Sequence, residues 1–577
     1  MKKKIMITLL IMMAFVIVGC REASNNGSGS TNINTITDIS GKTVDIEIEE
    51  DEVSSTFTII NEQGTNILPT NKVYTITEGG SYIASGKLEE GQLIVNASGA
   101  EVEIELDEVS ISNSSVSPII VRDCEKITIK VKKDTTNYIY DNRTTDYSAT
   151  TDEEVGTAAI YVANGNLKIN GKGTISIISL YNSGIHGKDN VTVKNCTMLI
   201  KAMNNGIKGN DKVLIEENPI VGIVCGNNGI KTSNSDLGSS VQHGYIYING
   251  GTITINSYGD AIDAAYAVEI GTSTDSDGNI YTPIIDIYTN KYSSYTLISS
   301  TDSSSNLTKL STTEIGGPGG PGGGPERPGG GFGGGGFGGG SSAEKADDSA
   351  KGIKANEVIN ITAGEIFIYT YDDAIHTNSN KLDTGVTANA NINISGGTIN
   401  IKASDDGIHA DGTLTISGGE VNIAESHEGL EGKIVNINGG KTIIVSDDDG
   451  INASSAINFN GGVVDVTVSP NGDTDGIDSN GTVTISGGII ITRGPNSEMA
   501  APLDSEYTMK MTGGILIVIG YPPKKLSVSG VTKTSSSNGL SMGTHTVTIG
   551  SSTITYTNTY TYKGACTVYG SGTATIN

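Results

Sequence analysis

The sequence predicts an all-β fold, a parallel β-helix (solenoid) with coils of about 22 residues. Three observations predict it: a composition suited to strands and turns, a short phrase that recurs about every 22 residues, and a second phrase that alternates with the first. The 577 residues include 77 glycines and no tryptophan, and Ile, Val, Thr, Ser and Asn are abundant. Because β-branched residues favour strands and glycine favours turns, helices are not expected.

The first phrase consists of a small or acidic residue, Gly or Ala, Ile or Leu, and then a polar residue. Steps of 22 and 23 residues separate its hydrophobic positions at Ile185, Ile207 and Ile230, and longer steps contain insertions. A worn last copy is expected at residues 502–504. The ten clear copies have their hydrophobic residue at Ile185, Ile207, Ile230, Ile262, Ile353, Ile375, Ile408, Leu430, Ile451 and Ile477.

The second phrase is an apolar residue, any residue and Gly-Gly, followed by a short β-branched strand. Examples are ISGGTINI from Ile394, ISGGEVNI from Ile416, ISGGIIIT from Ile485 and MTGGILIV from Met511. We expect these strands to alternate with period two and to bury one face. Two or three such strands make one coil, whose inward Ile and Val stack on those of the next coil. A β-propeller blade needs about 40 residues or more, so the short period argues against that fold.

The first 20 residues, MKKKIMITLLIMMAFVIVGC, contain three lysines, an apolar run and a terminal Gly-Cys. This arrangement resembles a bacterial lipoprotein signal, in which the cysteine is lipidated and becomes the mature N-terminus. A plain signal peptide or a transmembrane anchor is the alternative, but the apolar run is short for a stable span. We therefore expect a signal peptide at 1–19, lipidation of Cys20, a flexible tether at 20–35, and an extracellular protein anchored to the cell membrane.

The rest of the chain divides where the pattern changes. Residues 36–74 are expected to form a β-rich N-terminal cap, residues 75–520 the β-helix, and residues 521–577, with longer Thr/Tyr strands, a C-terminal cap. A Gly/Pro-rich stretch at 316–340 cannot pack a core and is expected to be disordered. It is either a linker between two domains or a loop, and the phrase resumes at 351–354, which favours the loop.

Four further cysteines, Cys124, Cys196, Cys225 and Cys566, show neither a Cys-x-x-Cys pair nor the spacing of a metal finger. Cys124 and Cys196 have similar sequence contexts. We therefore expect them at equivalent buried positions of the repeat rather than in a catalytic site.

The net charge of -27 repels nucleic acid, so that class of partner is excluded. Residues at the same place in neighbouring coils lie about 4.8 Å apart and form columns. Before Gly-Ile, the early copies have Ser183, Asn205 and Asn228, whereas the later copies have mainly carboxylates. Two unit charges about 5 Å apart repel by about 3 kcal/mol at an effective dielectric near 20, so cations between the coils are expected.

Calcium suits such a column because it binds six to eight oxygens from carboxylates, amides, backbone carbonyls and water. The cofactor that the sequence predicts is therefore calcium, and the alternative is a solvated acidic face beside a turn. The candidate metal ligands are Asp372, Asp373, Asp405, Asp406, Glu428, Glu431, Asp448, Asp449, Asp475 and Asp478.

The residue after each phrase isoleucine must point away from the core. The resulting column either lines a binding face or is solvated surface. Its members are His186, Lys208, Lys231, Asp263, Lys354, His376, His409, Glu431, Asn452 and Asp478.

The phrases DDGIHA, DDGIN and DGIDS, the ISGGTINI strands, the lipoprotein start and the Gly/Pro-rich insertion together resemble the clostridial carbohydrate-binding β-helix family. Members of that family bind calcium and are attached to the cell surface. The resemblance covers about residues 75–520 and implies a right-handed β-helix, similar in fold to calcium-dependent pectate lyases. It also implies a carbohydrate-binding domain whose partners are plant-wall polysaccharides such as cellulose or polygalacturonate. The membrane is a further partner through Cys20, and we expect a monomer.

Three functions remain open from the sequence. The first is non-catalytic carbohydrate binding on a long face, with tyrosines in place of tryptophans for stacking. The second is a calcium-dependent polysaccharide lyase, which needs a base beside a metal-neutralised carboxylate. Because no arginine falls in the acidic repeats, the base would be Lys354 or, as second choice, Lys231. The third is a surface adhesin that uses the β-helix as a stalk.

Overall fold

The computed structural model describes these residues of the chain: 31–32, 53, 55–143, 155–289 and 349–577. They form strands and turns without any α-helix, which confirms the all-β prediction. In these ranges no helix is long and apolar enough to cross a bilayer. The expected signal peptide at 1–19, Cys20 and the Gly/Pro-rich stretch at 316–340 lie outside the described residues.

The described residues form 45 strands, numbered in chain order. The strands before residue 155 are β1 Thr31–Asn32, β2 Thr58–Asn61, β3 Val73–Ile76, β4 Gly80–Glu89, β5 Gln92–Asn113, β6 Ile119–Val131 and β7 Thr136–Asp141. Those from 155 to 289 are β8 Ala158–Val162, β9 Asn166–Gly171, β10 Thr174–Ser179, β11 Ser183–Gly187, β12 Asn190–Lys194, β13 Thr197–Ala202, β14 Ile207–Gly209, β15 Lys212–Cys225, β16 Ile230–Lys231, β17 Tyr245–Ser257, β18 Ile262–Ala264, β19 Ala267–Ile270, β20 Ser273–Thr274, β21 Ile280–Tyr281 and β22 Ile284–Thr289. Those after 349 are β23 Ile353–Ala355, β24 Val358–Ile361, β25 Glu365–Thr370, β26 Ile375–Thr377, β27 Asn391–Ile394, β28 Thr398–Ala403, β29 Ile408–Ile416, β30 Glu420–Glu425, β31 Leu430–Ile437, β32 Lys441–Val445, β33 Ile451–Phe459, β34 Val463–Thr467, β35 Ile477–Ser479, β36 Thr482–Ile485, β37 Ile489–Arg493, β38 Met509–Met511, β39 Ile515–Gly520, β40 Leu526–Val528, β41 Thr532–Ser536, β42 Gly543–Ile549, β43 Ser552–Asn558, β44 Ala565–Gly570 and β45 Ala574–Ile576.

One sheet contains 39 of these strands, and within it each repeat pairs in parallel with the next. The pairings form three stacks. The first stack contains strands that begin at the phrase isoleucine, such as β11, β14 and β16. The second stack contains strands such as β9 and β12, and the third contains strands such as β28 and β30, which follow Gly-Gly. Long strands such as β15 belong to two stacks.

The phrase isoleucines form a continuous inner column because each one pairs with its counterpart in the next repeat. Ile185 lies opposite Ile207, which lies opposite Ile230, and the same register continues to Ile477. All ten side chains are fully buried. Burying one Ile contributes about 1.5–3 kcal/mol, and here the neighbouring repeats supply the cover.

The Gly-Gly phrase marks the turn from the second stack into the third. Its second glycine has a positive φ, for example 85° at Gly397, 78° at Gly419 and 75° at Gly440. A Cβ at Gly419 would lie 2.7 Å from the carbonyl oxygen of Gly397, one repeat earlier. Both the backbone angle and the close approach select glycine, so the chain turns at the same place in each repeat.

The last strands of the third stack, β37 and β39, do not alternate, because every residue after their first is buried. Their outward-facing Ile491 and Ile517 pack in a cluster with Val547, Ile554 and Tyr556 of the C-terminal segment. The predicted period-two alternation is therefore wrong for ISGGIIIT and MTGGILIV, since a second layer covers the outer face of these strands.

Antiparallel strands pair with both ends of the array. Near the N-terminus β2 runs antiparallel to β4, and near the C-terminus β44 runs antiparallel to β39 and β41. A separate four-stranded sheet contains β42, β43, β45 and β1. Strand β1, Thr31–Asn32, belongs to the expected tether and pairs in parallel with β43. The hydrogen-bonding edge of β39, the last strand of the third stack, is therefore occupied by β44.

The strands on the two sides of residues 290–348 are direct neighbours. Strand β18 pairs with β23, β19 pairs with β24, and β22 pairs with β25, all in parallel. The three stacks therefore continue from one side of this segment to the other.

The four cysteines of the described chain are buried and form no disulfide. Burial raises the pKa of Cys196 and of Cys225 to about 12, which disfavours the reactive thiolate. Cys124 follows the first stack, opposite Ala97, whereas Cys196 lies between the second and third stacks. The prediction of burial is confirmed, but the prediction of equivalent positions is wrong, because similar strand sequences flank different turns.

Candidate functional site

The residues before Gly-Ile lie one above another because their backbones are hydrogen-bonded in series. The Gly184 N–H donates to the Asn205 carbonyl at 3.0 Å, and later repeats do the same up to Gly476, which donates to Ala501 at 3.0 Å. We call the side chains at this position the pre-glycine column. The side chains after the phrase isoleucine form the post-isoleucine column.

The post-isoleucine column is in register along the whole first stack. His186 lies opposite Lys208 at one end, and Asn452 lies opposite Asp478 at the other. The pairs in between follow the order that the sequence predicts. Ten polar side chains from ten repeats therefore form one line along the protein.

The early repeats carry an amide ladder formed by Asn182, Asn204 and Asn227. Asn204 Nδ2 donates to Asn182 Oδ1 at 2.9 Å, and Asn227 Nδ2 donates to Asn204 Oδ1 at 2.8 Å. Beside the ladder, Asn205 Nδ2 donates to Ser183 Oγ at 3.3 Å. Because an amide is both donor and acceptor, the ladder bonds to itself without an ion. Beside it, the buried Asn205 Oδ1 has no hydrogen-bond partner among the described residues.

Lysines neutralise the first carboxylates of the line. Lys231 Nζ lies 2.5 Å from Asp263, and Lys354 Nζ lies 3.0 Å from Asp260, whose side chain is 3% exposed. These are the two lysines that the sequence offers as the base of a lyase. A base must reach the proton of its substrate, and both amino groups are already engaged by a carboxylate, so the two ion pairs disfavour this role.

Lys351 lies between two of the predicted metal ligands. Its Nζ is 2.8 Å from Asp372 Oδ1 and 2.7 Å from Asp373 Oδ2, and His376 Nδ1 is 2.5 Å from the same Asp373 oxygen. Although burial acts to raise the pKa of Asp373, its contacts with His376 and Lys351 hold that pKa well below the usual range. Asp405 has a carboxylate oxygen within 4.8 Å of oxygens of Asp372 and Asp373, so the three predicted ligands are together.

His409 joins the next carboxylates. Its Nδ1 lies 3.1 Å from Asp406 and 2.8 Å from Glu431, and its Nε2 lies 3.5 Å from Asp411. Burial disfavours the charged imidazole, but these three carboxylates outweigh it and raise the pKa of His409. The ring of His409 packs on that of His376, with centroids 4.5 Å apart. In this part of the column the protein supplies its own cations.

Four predicted ligands further along, Glu428, Asp449, Asp475 and Asp478, form no ion pair with a Lys, Arg or His among the residues that the structure describes. Burial, with the charges of neighbouring carboxylates, raises the pKa of Glu428 to about 9. Burial and neighbouring carboxylates also raise the pKa of Asp449 and of Asp475 to about 7. Each raised pKa means that the ionised carboxylate is destabilised, and a cation would relieve this.

The ten predicted ligands therefore divide into two groups. In the first group, Lys351, His376 or His409 lies beside the carboxylates, and its members are Asp372, Asp373, Asp405, Asp406 and Glu431. In the second group a cationic side chain lies beside Asp448, since His427 Nε2 is 3.4 Å from its carboxylate. Its members are Glu428, Asp448, Asp449, Asp475 and Asp478.

The worn last copy of the phrase occupies the next repeat position, as the sequence predicts. The Ile477 N–H donates to the Pro502 carbonyl at 3.0 Å, and Leu503 is buried. Burial and the charge of Asp504 raise the pKa of Asp478. Asp504 belongs with the second group but was not among the predicted ligands, although its place directly after Leu503 was the signal for it.

Several column carboxylates also hold the backbone of the next repeat, a role that the sequence did not predict. Asp373 Oδ1 accepts a hydrogen bond from the Asp406 N–H at 3.1 Å, and Asp449 Oδ1 accepts one from the Asp475 N–H at 2.8 Å. Asp475 Oδ1 accepts from the Ala501 N–H at 2.5 Å. The signal in the sequence is that most copies have a side chain with an oxygen acceptor at this position.

Oxygen donors of the second group have the chemistry that calcium prefers, with carboxylates in adjacent repeats and the amide of Asn452 beside them. Asn452 Nδ2 donates to both oxygens of Glu428, at 3.3 and 3.2 Å. In the first group, by contrast, Lys351 and His409 already occupy the positions beside the carboxylates. Uncompensated charge therefore favours a cation between Glu428 and Asp478, whereas the described His, Asp and Glu ligand atoms that converge in threes within 4.8 Å of one another lie in the first group.

Fold and site together define a β-rich repeat protein with a long line of polar side chains along one stack of parallel strands. A family model described as "Carbohydrate-binding domain-containing protein" matches residues 70–383 and 378–432. The match spans more than half of the chain, and the protein belongs to this family.

A relative and a solved structure extend the comparison. A carbohydrate-binding domain-containing protein of Acetivibrio thermocellus is 29% identical over 277 residues, which are 47% of this chain and 89% of the relative. A polysaccharide lyase-like protein from C. thermocellum, solved as a gadolinium derivative, is 27% identical over 38% of this chain and 84% of its own, with a TM-score of 0.34. That superposition is poor, so neither fold nor activity is inferred from it.

Proposed function

We propose that this chain is an extracellular, membrane-anchored protein that binds plant-wall or acidic polysaccharide, such as polygalacturonate or cellulose, on a calcium-loaded β-helix face. The observation that carries the proposal is the line of polar side chains in register over ten repeats, on a chain of a carbohydrate-binding family. A polymer presents the same groups again and again, and a rigid line of evenly spaced side chains can meet it along its length.

The solenoid part of the proposal rests on the strand pairing. Three stacks of parallel strands recur about every 22 residues, and short turns join one stack to the next. A chain that visits three stacks in turn and returns one strand spacing further on describes a coil. We propose the right-handed course that such parallel crossovers normally take.

Calcium in this proposal is held by the second group, chiefly Glu428, Asp449 and Asp475. A divalent cation would neutralise their mutual repulsion and would also offer free coordination positions to carboxylates or hydroxyls of a sugar. Asp449 and Asp475 also have a structural role, because each accepts a backbone hydrogen bond that fixes the spacing of the repeats.

The test is affinity electrophoresis of the mature protein in gels containing polygalacturonate or a soluble, neutral cellulose derivative, with calcium or with chelator. We expect calcium to increase the retardation, and the double variant Asp449→Asn, Asp475→Asn to lose that increase. The matched control is Asp134→Asn, Asp277→Asn, which removes the same charge from two exposed positions outside the columns.

Two results would overturn parts of this proposal. Equal mobility in all gels, with and without calcium, would remove polysaccharide binding and favour the adhesin. An equal calcium effect on the double variant and on the control would move the calcium site away from the second group.

A lyase remains the alternative activity, and the same samples test it. β-Elimination releases an unsaturated uronide that absorbs ultraviolet light. Release that is lost in Lys354→Ala would establish a lyase, whereas no absorbance change with several uronate polymers would eliminate it. The ion pair between Lys354 and Asp260 favours binding without cleavage.

Anchoring is a separate part of the proposal and rests on the sequence up to Cys20. We expect metabolic labelling with a fatty-acid analogue to mark the full chain and Cys20→Ser to abolish the label and release the protein from the membrane fraction. A labelled Cys20→Ser variant would contradict lipidation at this residue.

A further inference from the structure

We propose that a lysine-lined groove near the start of the array is a second binding site, which takes carboxylate-bearing sugars directly and without calcium. The choice of an acidic sugar as ligand rests on the proposed function. The residues are different, and no metal takes part.

The groove lies at the turns between the second and third stacks, around β6, β9 and β12. Its volume is about 540 Å³. Two glutamates, Glu105 and Glu217, and six lysines line it. The lysines are Lys130, Lys132, Lys133, Lys168, Lys172 and Lys194. Six positive side chains against two negative ones stand out on a chain whose net charge is -27.

Two of these lysines have amino groups without an ion-pair partner among the described residues. The side-chain amino groups of Lys168 and Lys172 form no ion pair or hydrogen bond with another residue of the described ranges. Lys168 lies opposite Thr128 on one side and Thr192 on the other, so neither neighbouring strand presents a carboxylate to it. Its amino group is therefore available to a ligand.

The turn that carries Lys172 is held close to the preceding repeat. Gly171 has a φ of 128°, and a Cβ on it would lie 2.0 Å from the Val131 carbonyl oxygen. The Lys172 N–H then donates to the same carbonyl at 3.0 Å. This contact fixes the backbone beneath the groove, so Lys172 projects from a rigid turn rather than from a loose loop.

The other charges of the groove are partly matched already. Lys130 lies 2.9 Å from Glu105, Lys132 lies 2.6 Å from Asp107, and Lys194 contacts Glu217 at 3.1 Å. These pairs hold the rim in place and leave Lys168 and Lys172 as the unmatched pair. The favoured ligand therefore carries separate single negative charges rather than a dense array.

A uronate polymer fits this description. Each sugar has one carboxylate and several hydroxyls, and the amides of Asn170 and Asn195 in the lining can donate to or accept from hydroxyls. A nucleic acid or a phosphate polymer carries a denser charge, which the strongly acidic remainder of the chain repels. The family match spans the whole groove, since it begins at residue 70.

The test compares two double charge reversals of the full mature chain in the presence of chelator. Lys168→Glu, Lys172→Glu changes the unmatched pair, and Lys433→Glu, Lys510→Glu applies the same change at two exposed lysines outside the groove. We expect the unmodified protein to be retarded by polygalacturonate in chelator, and more strongly at low than at high salt. The groove variant should lose at least about tenfold in affinity and the control less than about twofold.

Each outcome separates this proposal from that of the calcium face. Loss of binding in chelator with an intact calcium-dependent increase supports the groove and leaves the calcium face standing. Binding in chelator that is equal for the groove variant and the control overturns the groove. No retardation of the unmodified protein in chelator also overturns it, whereas no increase with calcium overturns only the calcium face. Tighter binding of a phosphate polymer than of polygalacturonate would replace uronate as the ligand class.

Discussion

The amide ladder of the early repeats lies one residue before the pre-glycine column that carries the carboxylates of the later repeats, and the two sets of side chains are stabilised differently. Asn182, Asn204 and Asn227 bond to one another at 2.8–2.9 Å and need nothing else. Asp449 and Asp475 stack with the same backbone bonds, but burial and repulsion raise the pKa of both carboxyls to about 7. The strands pair in the same register in both regions, so the backbone arrangement does not require acidic side chains at these positions.

The difference indicates that charge in the later repeats serves something other than the fold. An amide at Asp449 or Asp475 would accept the same backbone hydrogen bond without repulsion. The middle of the line shows a third solution, since Lys351 neutralises Asp372 and Asp373 from within the column. We expect four perturbations to affect the amide and the carboxylate regions differently.

The largest effect is expected from Lys351→Met. Removing this cation leaves Asp372 without its ion pair and the buried Asp373 with His376 alone, and breaking such a buried pair costs up to about 3–5 kcal/mol. The matched control is Lys208→Met in the amide region, where burial lowers the pKa of the lysine and no carboxylate of the described residues forms an ion pair with it. Thermal unfolding in chelator should separate the two variants, and calcium should rescue Lys351→Met in part. Equal stability of both variants would contradict the role of Lys351.

Acid should act on the two regions with opposite signs. Burial, with the charge of Lys208, lowers the pKa of His186 to about 4, below its ordinary value of 6.5. The folded protein therefore binds fewer protons than the unfolded chain between these values, and about 3 kcal/mol of stability is lost as the pH falls from 6.5 to 4. The raised carboxyl pKa values of Asp449 and Asp475 have the opposite effect without calcium, because the folded state then gains protons.

Hydrogen exchange measured at pH 7 and pH 5 in chelator, and corrected for intrinsic rates, checks both signs. Protection should fall around His186 and rise around residues 449–475. His186→Gln, which cannot titrate in this range, should abolish the first change and leave the second. A uniform response of the whole array would contradict the assignment.

Calcium removal should loosen only the carboxylate region. A site filled at about one hundred times its dissociation constant contributes about 2.7 kcal/mol. We expect chelator to reduce exchange protection at residues 428–478 by that order and to leave residues 182–231 unchanged. Equal loss in both regions would mean that calcium acts elsewhere.

The smallest effect is expected from Asn204→Asp. The carboxylate loses the donor that bonds Asn182 Oδ1, which costs about 1 kcal/mol in chelator. Asn204→Ser, which keeps a donor but shortens the side chain, is the control for packing. If calcium binds wherever carboxylates replace amides, Asn204→Asp combined with Asn227→Asp should respond to calcium. No response would show that the ladder lacks the other donors of the later repeats.

The sequence predicts the repeat and its columns well because both depend on spacing alone. A phrase every 22 residues sets the register, and the register places His376 on His409 and Asn452 beside Asp478. Which side chains form ion pairs depends on their rotamers and lengths, and the spacing of residues in the sequence does not determine these. The insertion of Lys351 between Asp372 and Asp373 is of this kind, although the lysine was visible in the pre-glycine column.

Two other features follow from contacts between distant parts of the chain. The outer face of β37 and β39 is covered by C-terminal strands, and the signal was the unbroken apolar run IIIT and ILIV, which departs from alternation. The lysine groove combines residues of several repeats, among them Lys130, Lys168 and Lys194. These lysines lie in segments without the acidic phrase, so a search guided by that phrase passes over them.

The antiparallel strand β44 has a consequence for how the molecule can grow. The last strand of a parallel stack exposes the same hydrogen-bonding groups that each inner strand offers to the next repeat. A strand of a second molecule could therefore pair with it as one more repeat. Strand β44 takes the bonds of β39 in the opposite direction, which ends that continuation. A second molecule therefore cannot extend the third stack as one more parallel repeat. Duplication of an internal repeat would add a strand to each stack while the antiparallel strand β44 still closed the third stack.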